Sequence, residues 1–148
     1  MNIRLQTKVD GNYKDIIKQF DLALFEALKP KKAKMEIVEF SGSRKGDIVH
    51  LRFLGPIKAE WISKITEDYQ DHKEAYFIDQ GTTLPFPLTY WKHKHVVKKI
   101  TDDTSYIIDD MTFKGPFFLI TWLLYPALYI AFYPRKKIYR SYFKKQGV

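Results

Sequence analysis

The sequence predicts an α+β domain in which a curved antiparallel β-sheet of about seven strands is wrapped around a long C-terminal helix. Three observations predict it. Residues 1–9 alternate apolar and polar side chains with the period of a strand, six more strand-like stretches follow at short separations, and residues 117–133 are apolar on every side. Strands joined by short turns must pair antiparallel, because a parallel pair needs a crossover of about a dozen residues or more.

In residues 1–9, Ile3, Leu5, Thr7 and Val9 share one face and Asn2, Arg4, Gln6 and Lys8 the other, as in a half-buried strand that Asp10-Gly11-Asn12 ends. The period then changes. Ile16, Ile17, Phe20, Leu24, Phe25 and Leu28 recur at helical spacing, with Asp21 placed to cap a second short helix and Pro30 to stop it. Strands are predicted over residues 33–40, 47–54, 57–66 and 75–80, separated by Ser41-Gly42-Ser43-Arg44-Lys45-Gly46 and by Gly55-Pro56. After Leu84-Pro85-Phe86-Pro87, residues 88–100 and 105–113 read as a hairpin around Asp102-Asp103. Pro116 opens the final helix, and Pro126 is predicted to kink it. No repeat or low-complexity linker divides the chain, so residues 1–148 are read as one domain with 134–148 as a basic helix end. A sheet this long curls, and only the last helix is long and apolar enough to cover its concave face. The order β-α-α-β6-α is the helix-grip architecture.

Composition narrows the chemistry. Aromatic residues make up 16% of the chain, which suits a thick core or walls around a flat apolar ligand. The absence of cysteine excludes disulfides, thiolate nucleophiles and cysteine-ligated metals. The first residues carry no apolar secretory segment, so a cytoplasmic location is the default expectation. Of the net charge of +8, six cations (Arg135, Lys136, Lys137, Arg140, Lys144, Lys145) lie after Pro134 without one acidic residue, leaving the rest nearly neutral. A nucleic-acid partner is not expected, since such proteins spread positive charge over a face of the fold. No Gly-x-Gly-x-x-Gly or Walker pattern occurs, and no cofactor is expected.

Trp91, His93 and His95 alternate with Lys92 and Lys94, so on a strand the tryptophan and both histidines share one face. Lysines prefer water, which turns the Trp/His face inward with Val97. Two inward imidazoles admit three uses: an internal hydrogen-bond network, acid–base or ligand-orienting groups, and metal ligation. The network comes first because buried polar groups are ordinarily just satisfied. No third metal ligand stands out, and no metal is expected. Asp109 and Asp79 sit among strand formers, and an inward carboxylate needs a partner. A histidine is the expected partner of Asp109, and Glu60 is a further candidate for the network. His50, alternating with Arg52, and His72, in a charged turn, read as surface residues. With no cysteine nucleophile and no serine elbow, binding is favoured over catalysis.

Several stretches together resemble the START-related, birch-allergen-like superfamily of polyketide cyclases and lipid carriers, in particular a bacterial ligand-binding branch. They are Glu60-Trp61-Ile62-Ser63-Lys64-Ile65-Thr66-Glu67, Phe77-Ile78-Asp79, Trp91-Lys92-His93-Lys94-His95, and Thr104 with Asp109, Met111 and Phe113. The resemblance spans essentially the whole chain, and Trp-x-His-x-His is its most specific part. It implies a cavity between sheet and C-terminal helix for a lipid or polyketide-like molecule. Trp61, Phe77, Trp91, Phe113 and Trp122 would line it, and His93, His95 and Asp109 would orient the ligand. A cyclase or dehydratase using the same histidines and Asp109 is the alternative it implies. The chain departs from the branch at Leu84-Pro85-Phe86-Pro87, where Gly-Pro is usual, and in a Thr104–Asp109 spacing one residue long, which predicts a bulge.

Residues 117–133 admit a core helix with a homodimer surface on its far side, a helix lying on a membrane, or a span. Seventeen residues fall at the short end of the ~17–25 that cross a bilayer. Trp122, Tyr125, Tyr129 and Tyr133 suit a membrane interface, and Arg135-Lys136-Lys137 follows at once. Pro126 and the need to cover the sheet favour the core helix. The tail, with Tyr139, Tyr142 and Phe143 among its cations, reads as a solvated amphipathic helix end, the alternatives being contact with an anionic membrane surface or, less well, with RNA.

Overall fold

The computed structural model describes residues 1–144, so Lys145 of the basic tail lies outside the described residues. The opening alternation becomes β1 (Asn2–Asp10), whose odd positions are buried and even positions exposed. Gly11 ends it with φ +125°, a conformation that favours glycine. Helix α1 (Tyr13–Lys18) is capped by Asn12, and α2 (Leu22–Leu28) by Asp21, whose carboxylate accepts the Leu24 N–H at 3.0 Å. Six strands follow: β2 (Lys34–Phe40), β3 (Ile48–Gly55), β4 (Lys58–Gln70), β5 (Glu74–Thr83), β6 (Tyr90–Lys99) and β7 (Thr104–Lys114). They form one antiparallel sheet in the order β1-β7-β6-β5-β4-β3-β2. The chain therefore runs as a six-stranded meander, and β1 returns to pair with its last strand.

Two details of the strands differ from expectation. The bulge expected before Asp109 is absent, since β6 and β7 keep one register from Tyr90↔Lys114 to Lys99↔Ser105. Irregularities fall instead in the β2–β3 and β4–β5 pairs. The one between Ile65 and Glu67 resets the alternation, so β4 continues through the exposed residues 67–70 that the apolar pattern does not reveal.

The C-terminal helix is in two pieces, α3 (Phe118–Phe132) and α4 (Arg135–Tyr142). Helix α3 runs through Pro126 and ends at Tyr133-Pro134, where the bonds Lys136 N–H to Tyr133 and Lys137 N–H to Pro134 tighten to three-residue spacing. Its cover of the sheet is narrow. Leu128 alone is buried, Leu124 and Phe132 are half-buried along the same stripe, and ten of the fifteen residues are exposed. The tail expected to be a solvated amphipathic helix end is amphipathic but anchored: α4 lies along β1, puts Tyr139 and Phe143 into the core and leaves Lys137, Arg140 and Lys144 exposed. Two buried clusters result. One joins Val9, Ile16, Phe20, Leu24, Phe77 and Tyr139 beneath α1, α2 and α4. The other joins Ile3, Leu5, Trp91, Met111, Phe113 and Leu128 beneath α3. No helix among the described residues is long and apolar enough to cross a membrane.

Candidate functional site

The register of three central strands assembles a buried polar centre. Asp79 of β5 lies opposite His93 of β6, and His95 lies opposite Asp109 of β7. All four point to the concave side, as the alternation with Lys92 and Lys94 requires. Each carboxylate bonds the diagonal imidazole rather than the opposite one. His93 Nε2–H donates to Asp109 Oδ1 at 2.8 Å, and His95 Nε2–H donates to Asp79 Oδ2 at 2.7 Å. The opposite contacts, through Nδ1, are 3.8 Å (His93 to Asp79) and 3.7 Å (His95 to Asp109). The two rings stack with centroids 3.6 Å apart.

Three side chains complete this centre. Trp91 Nε1–H donates to Asp79 Oδ1 at 3.2 Å and the Tyr139 hydroxyl to Asp109 Oδ1 at 3.3 Å. The Arg135 guanidinium lies over the Phe132 ring with Nη1 3.9 Å from Asp109 Oδ1. Burial pushes the Asp109 carboxyl up, but the His93 bond and the charges of His93, Arg135 and His95 outweigh it and hold it down at about 2. Asp79 is likewise lowered against its burial, chiefly by His95. Burial and the neighbouring His93 push His95 down to about 4, more than Asp79 and Asp109 restore. Tyr139 is raised, by burial and then by Asp109. At neutral pH His95 is therefore uncharged, with its proton on Nε2. Its Nδ1 is a bare acceptor, and among the described residues it has no hydrogen-bond partner.

This centre sits where the two clusters meet: His95 stacks on Phe77 at 4.4 Å, and His93 meets Trp91 and Phe132 edge-on. On the α2 side lies a cavity of about 40 Å³ whose walls include Phe20, Leu24, Ser63 and Phe77, with Asp79 and His95 at its polar end. A groove of about 850 Å³ between the α1–α2 junction and the β2–β3 turn shares Phe20, Phe40, Ser43 and Phe77 with it. Ser43 Oγ donates to the Phe20 carbonyl at 2.6 Å across that boundary.

Of the expected lining residues, Phe77 and His95 reach this cavity. Trp91 and Phe113 are instead buried in the packing beneath α3, where Trp61 is half-buried edge-on to Trp91 at 4.9 Å. Trp122 points away, 60% exposed, because α3 turns its 124–128–132 stripe to the sheet and 122 falls on the far side. Glu60 takes no part: it bonds His50 and Arg52, so His50 is a half-buried hydrogen-bonded residue rather than a plain surface one. The sequence reading missed Tyr139, Arg135 and the α2 wall. The four-residue spacing of Arg135, Tyr139 and Phe143 was the available signal. Asp79 also supplies the third group that was not named for a metal: Asp79, His93 and His95 offer ligand atoms all within 4.8 Å of one another. A cation there would have to displace the proton that joins His95 to Asp79.

A curled seven-stranded antiparallel sheet gripped by C-terminal helices is a helix-grip fold of the kind seen in START-related, birch-allergen-like proteins. Solved structures of that fold are similar to the chain throughout. Norcoclaurine synthase from Thalictrum flavum, in complex with dopamine and hydroxybenzaldehyde, matches 100% of this chain and 89% of its own at 16% identity and a TM-score of 0.67. A hypothetical protein of Helicobacter pylori matches 97% and 88% at 11% identity and 0.70. The Zhui aromatase/cyclase of a Streptomyces species matches 93% and 90% at 9% identity and 0.62. No protein-family model and no curated relative matches the chain.

Proposed function

We propose that the protein binds a small hydrophobic molecule, lipid- or polyketide-like in character, with its polar end at Asp79 and His95. The observation that carries this reading is a largely apolar cavity that has the buried, hydrogen-bonded Asp79–His95 pair in its wall. Such a site pairs hydrophobic walls with a few convergent polar groups. The fold supports it, since norcoclaurine synthase holds the single-ring molecules dopamine and hydroxybenzaldehyde. The space differs from the one the sequence suggested, lying under α2 rather than under the C-terminal helix. At about 40 Å³ it is far below the ~300–1,000 Å³ of ligand pockets, so α2 has to yield. Helix α2 is the element suited to yielding, being seven residues long with Leu24 and Leu28 as its buried anchors.

Binding is favoured over proton transfer. A general base works best with a pKa near the operating pH, and His95 is held at about 4. The Asp79 carboxylate, held low by His95 and lining the cavity, is the acceptor offered to a ligand hydroxyl. The test compares native and denaturing mass spectra of the purified protein with an organic extract, then titrates a fluorescent hydrophobic probe. The expected result is a stoichiometric apolar guest, or probe uptake that Leu24→Trp abolishes in a still-folded protein. An empty protein with no uptake, or uptake indifferent to Leu24→Trp, would sink the proposal.

A further inference from the structure

The outer face of α3 has no partner within the fold. Phe118 is 77% exposed, Trp122 60% and Ile130 72%, and Leu119 and Leu123 are open to a similar degree. On an ideal helix Leu119, Trp122, Leu123 and Ile130 lie on the side opposite Leu124, Leu128 and Phe132, and Phe118 lies on the flank between. At roughly 100–150 Å² each they form a patch at or above the ~300–600 Å² of the largest patch on a typical monomer. The chain continues directly into α4, where Lys137 and Arg140 are exposed. From Lys114 to Lys144 the sequence contains no acidic residue.

We infer that this face docks the protein on an anionic lipid bilayer, with α3 lying in the plane of the interface and the α4 cations against the headgroups. Charge decides the occupant. A two-fold contact sets a patch against itself and would bring its flanking cations together with no carboxylate from residues 114–144 to offset them. A plane of anionic headgroups complements both parts at once, taking the apolar stripe below the headgroups and the cations among them. Trp122 and Tyr133, exposed on the same side, are residue types that settle at that depth. The helix itself, fifteen residues and about 22 Å long, is too short to span, which fixes the geometry as lying on the membrane.

The full chain is sedimented with vesicles of phosphatidylcholine alone and of equal parts phosphatidylcholine and phosphatidylglycerol. Binding is expected to the anionic vesicles, with a blue shift in tryptophan fluorescence, and it should weaken as salt rises from about 0.1 M to about 1 M. Lys137→Gln and Arg140→Gln should each lower the affinity by about fivefold. The double variant Trp122→Ser/Ile130→Ser, made at exposed positions, should keep the wild-type melting temperature and lose at least tenfold in vesicle affinity. Wild-type affinity in that double variant, or equal binding to both vesicle types, overturns the inference. So does a concentration-dependent dimer that ignores vesicles and dissociates on Ile130→Ser, since that assigns the face to a second copy.

Discussion

Acidification below neutrality is the perturbation that reads the buried centre most directly. His95 ordinarily titrates near 6.5 and is held at about 4 in the fold, so between these values the unfolded chain binds a proton that the folded chain does not. Stability then falls as pH falls through this window and levels off below about 4, where both states are protonated. Integrating the two titrations from pH 7 to pH 5 gives a loss of about 2 kcal/mol from this one residue, and about 3 kcal/mol over the whole window. Asp109 adds a separate loss with the opposite origin. Its carboxyl is lowered from 3.8 to about 2, so its contribution is complete above 3.8 and disappears as pH falls through about 2, worth a further ~2 kcal/mol. Urea unfolding followed by circular dichroism at closely spaced pH values separates the two. His95→Gln keeps a donor for Asp79 but does not titrate, so subtracting its curve from the wild-type curve should isolate the His95 step. If the variant loses stability between pH 7 and 5 as steeply as the wild type, His95 is not the buried neutral base described above.

Three further outcomes follow from the contacts. Asp109→Ala strands the His93 N–H and the Tyr139 hydroxyl and leaves Arg135 uncompensated, so urea unfolding should show a loss of roughly 3–5 kcal/mol. Tyr139→Phe, which keeps the ring, should cost only about 1 kcal/mol. Leu128→Ala should cost roughly 2–4 kcal/mol, against less than about 0.5 for Ile130→Ala two residues away, and equal costs would contradict the one-sided packing of α3. Equimolar zinc should leave the thermal midpoint unchanged at pH 7, because both Nε2 atoms already donate to carboxylates; a midpoint raised by zinc in the wild type but not in His95→Ala would replace the network with a metal site.

How far the sequence reaches depends on whether a pattern has one reading. In β6 the lysines at 92 and 94 leave only one inward face, so the Trp91-His93-His95 side was legible without a structure. Asp21 was legible as a cap because it interrupts an apolar run with a side chain that can serve Leu24. Helix α3 was not, because a segment apolar on every side carries no phase to say which stripe faces the sheet. Helix α4 was legible in part: its amphipathic character shows in the sequence, but its cations dominate the average and hide that Tyr139 and Phe143, four residues apart, reach the core. The diagonal pairing of Asp79 with His95 and of Asp109 with His93 depends on register between three strands, which no local pattern encodes.

The placement of the four ionisable residues bears on why they are there. Stability alone does not call for them, since replacing a buried ionic group with apolar residues of similar volume is often neutral or stabilising. What they add is position. They hold two imidazoles stacked at the seam between a tightly filled half, where Trp91, Phe113 and Leu128 pack beneath α3, and a half with space beneath α2. A guest that lifts α2 disturbs Leu24 and Leu28 but leaves β6, β7 and the α3 contacts in place, so the polar groups it meets stay aimed while the apolar wall gives way. On the proposed binding function, a site built this way would have one rigid wall that selects by hydrogen bonding and one compliant wall that selects loosely by size. Ring-bearing guests of differing bulk but with a common hydroxyl should therefore bind alike, and methylating that hydroxyl should weaken binding more than enlarging the ring.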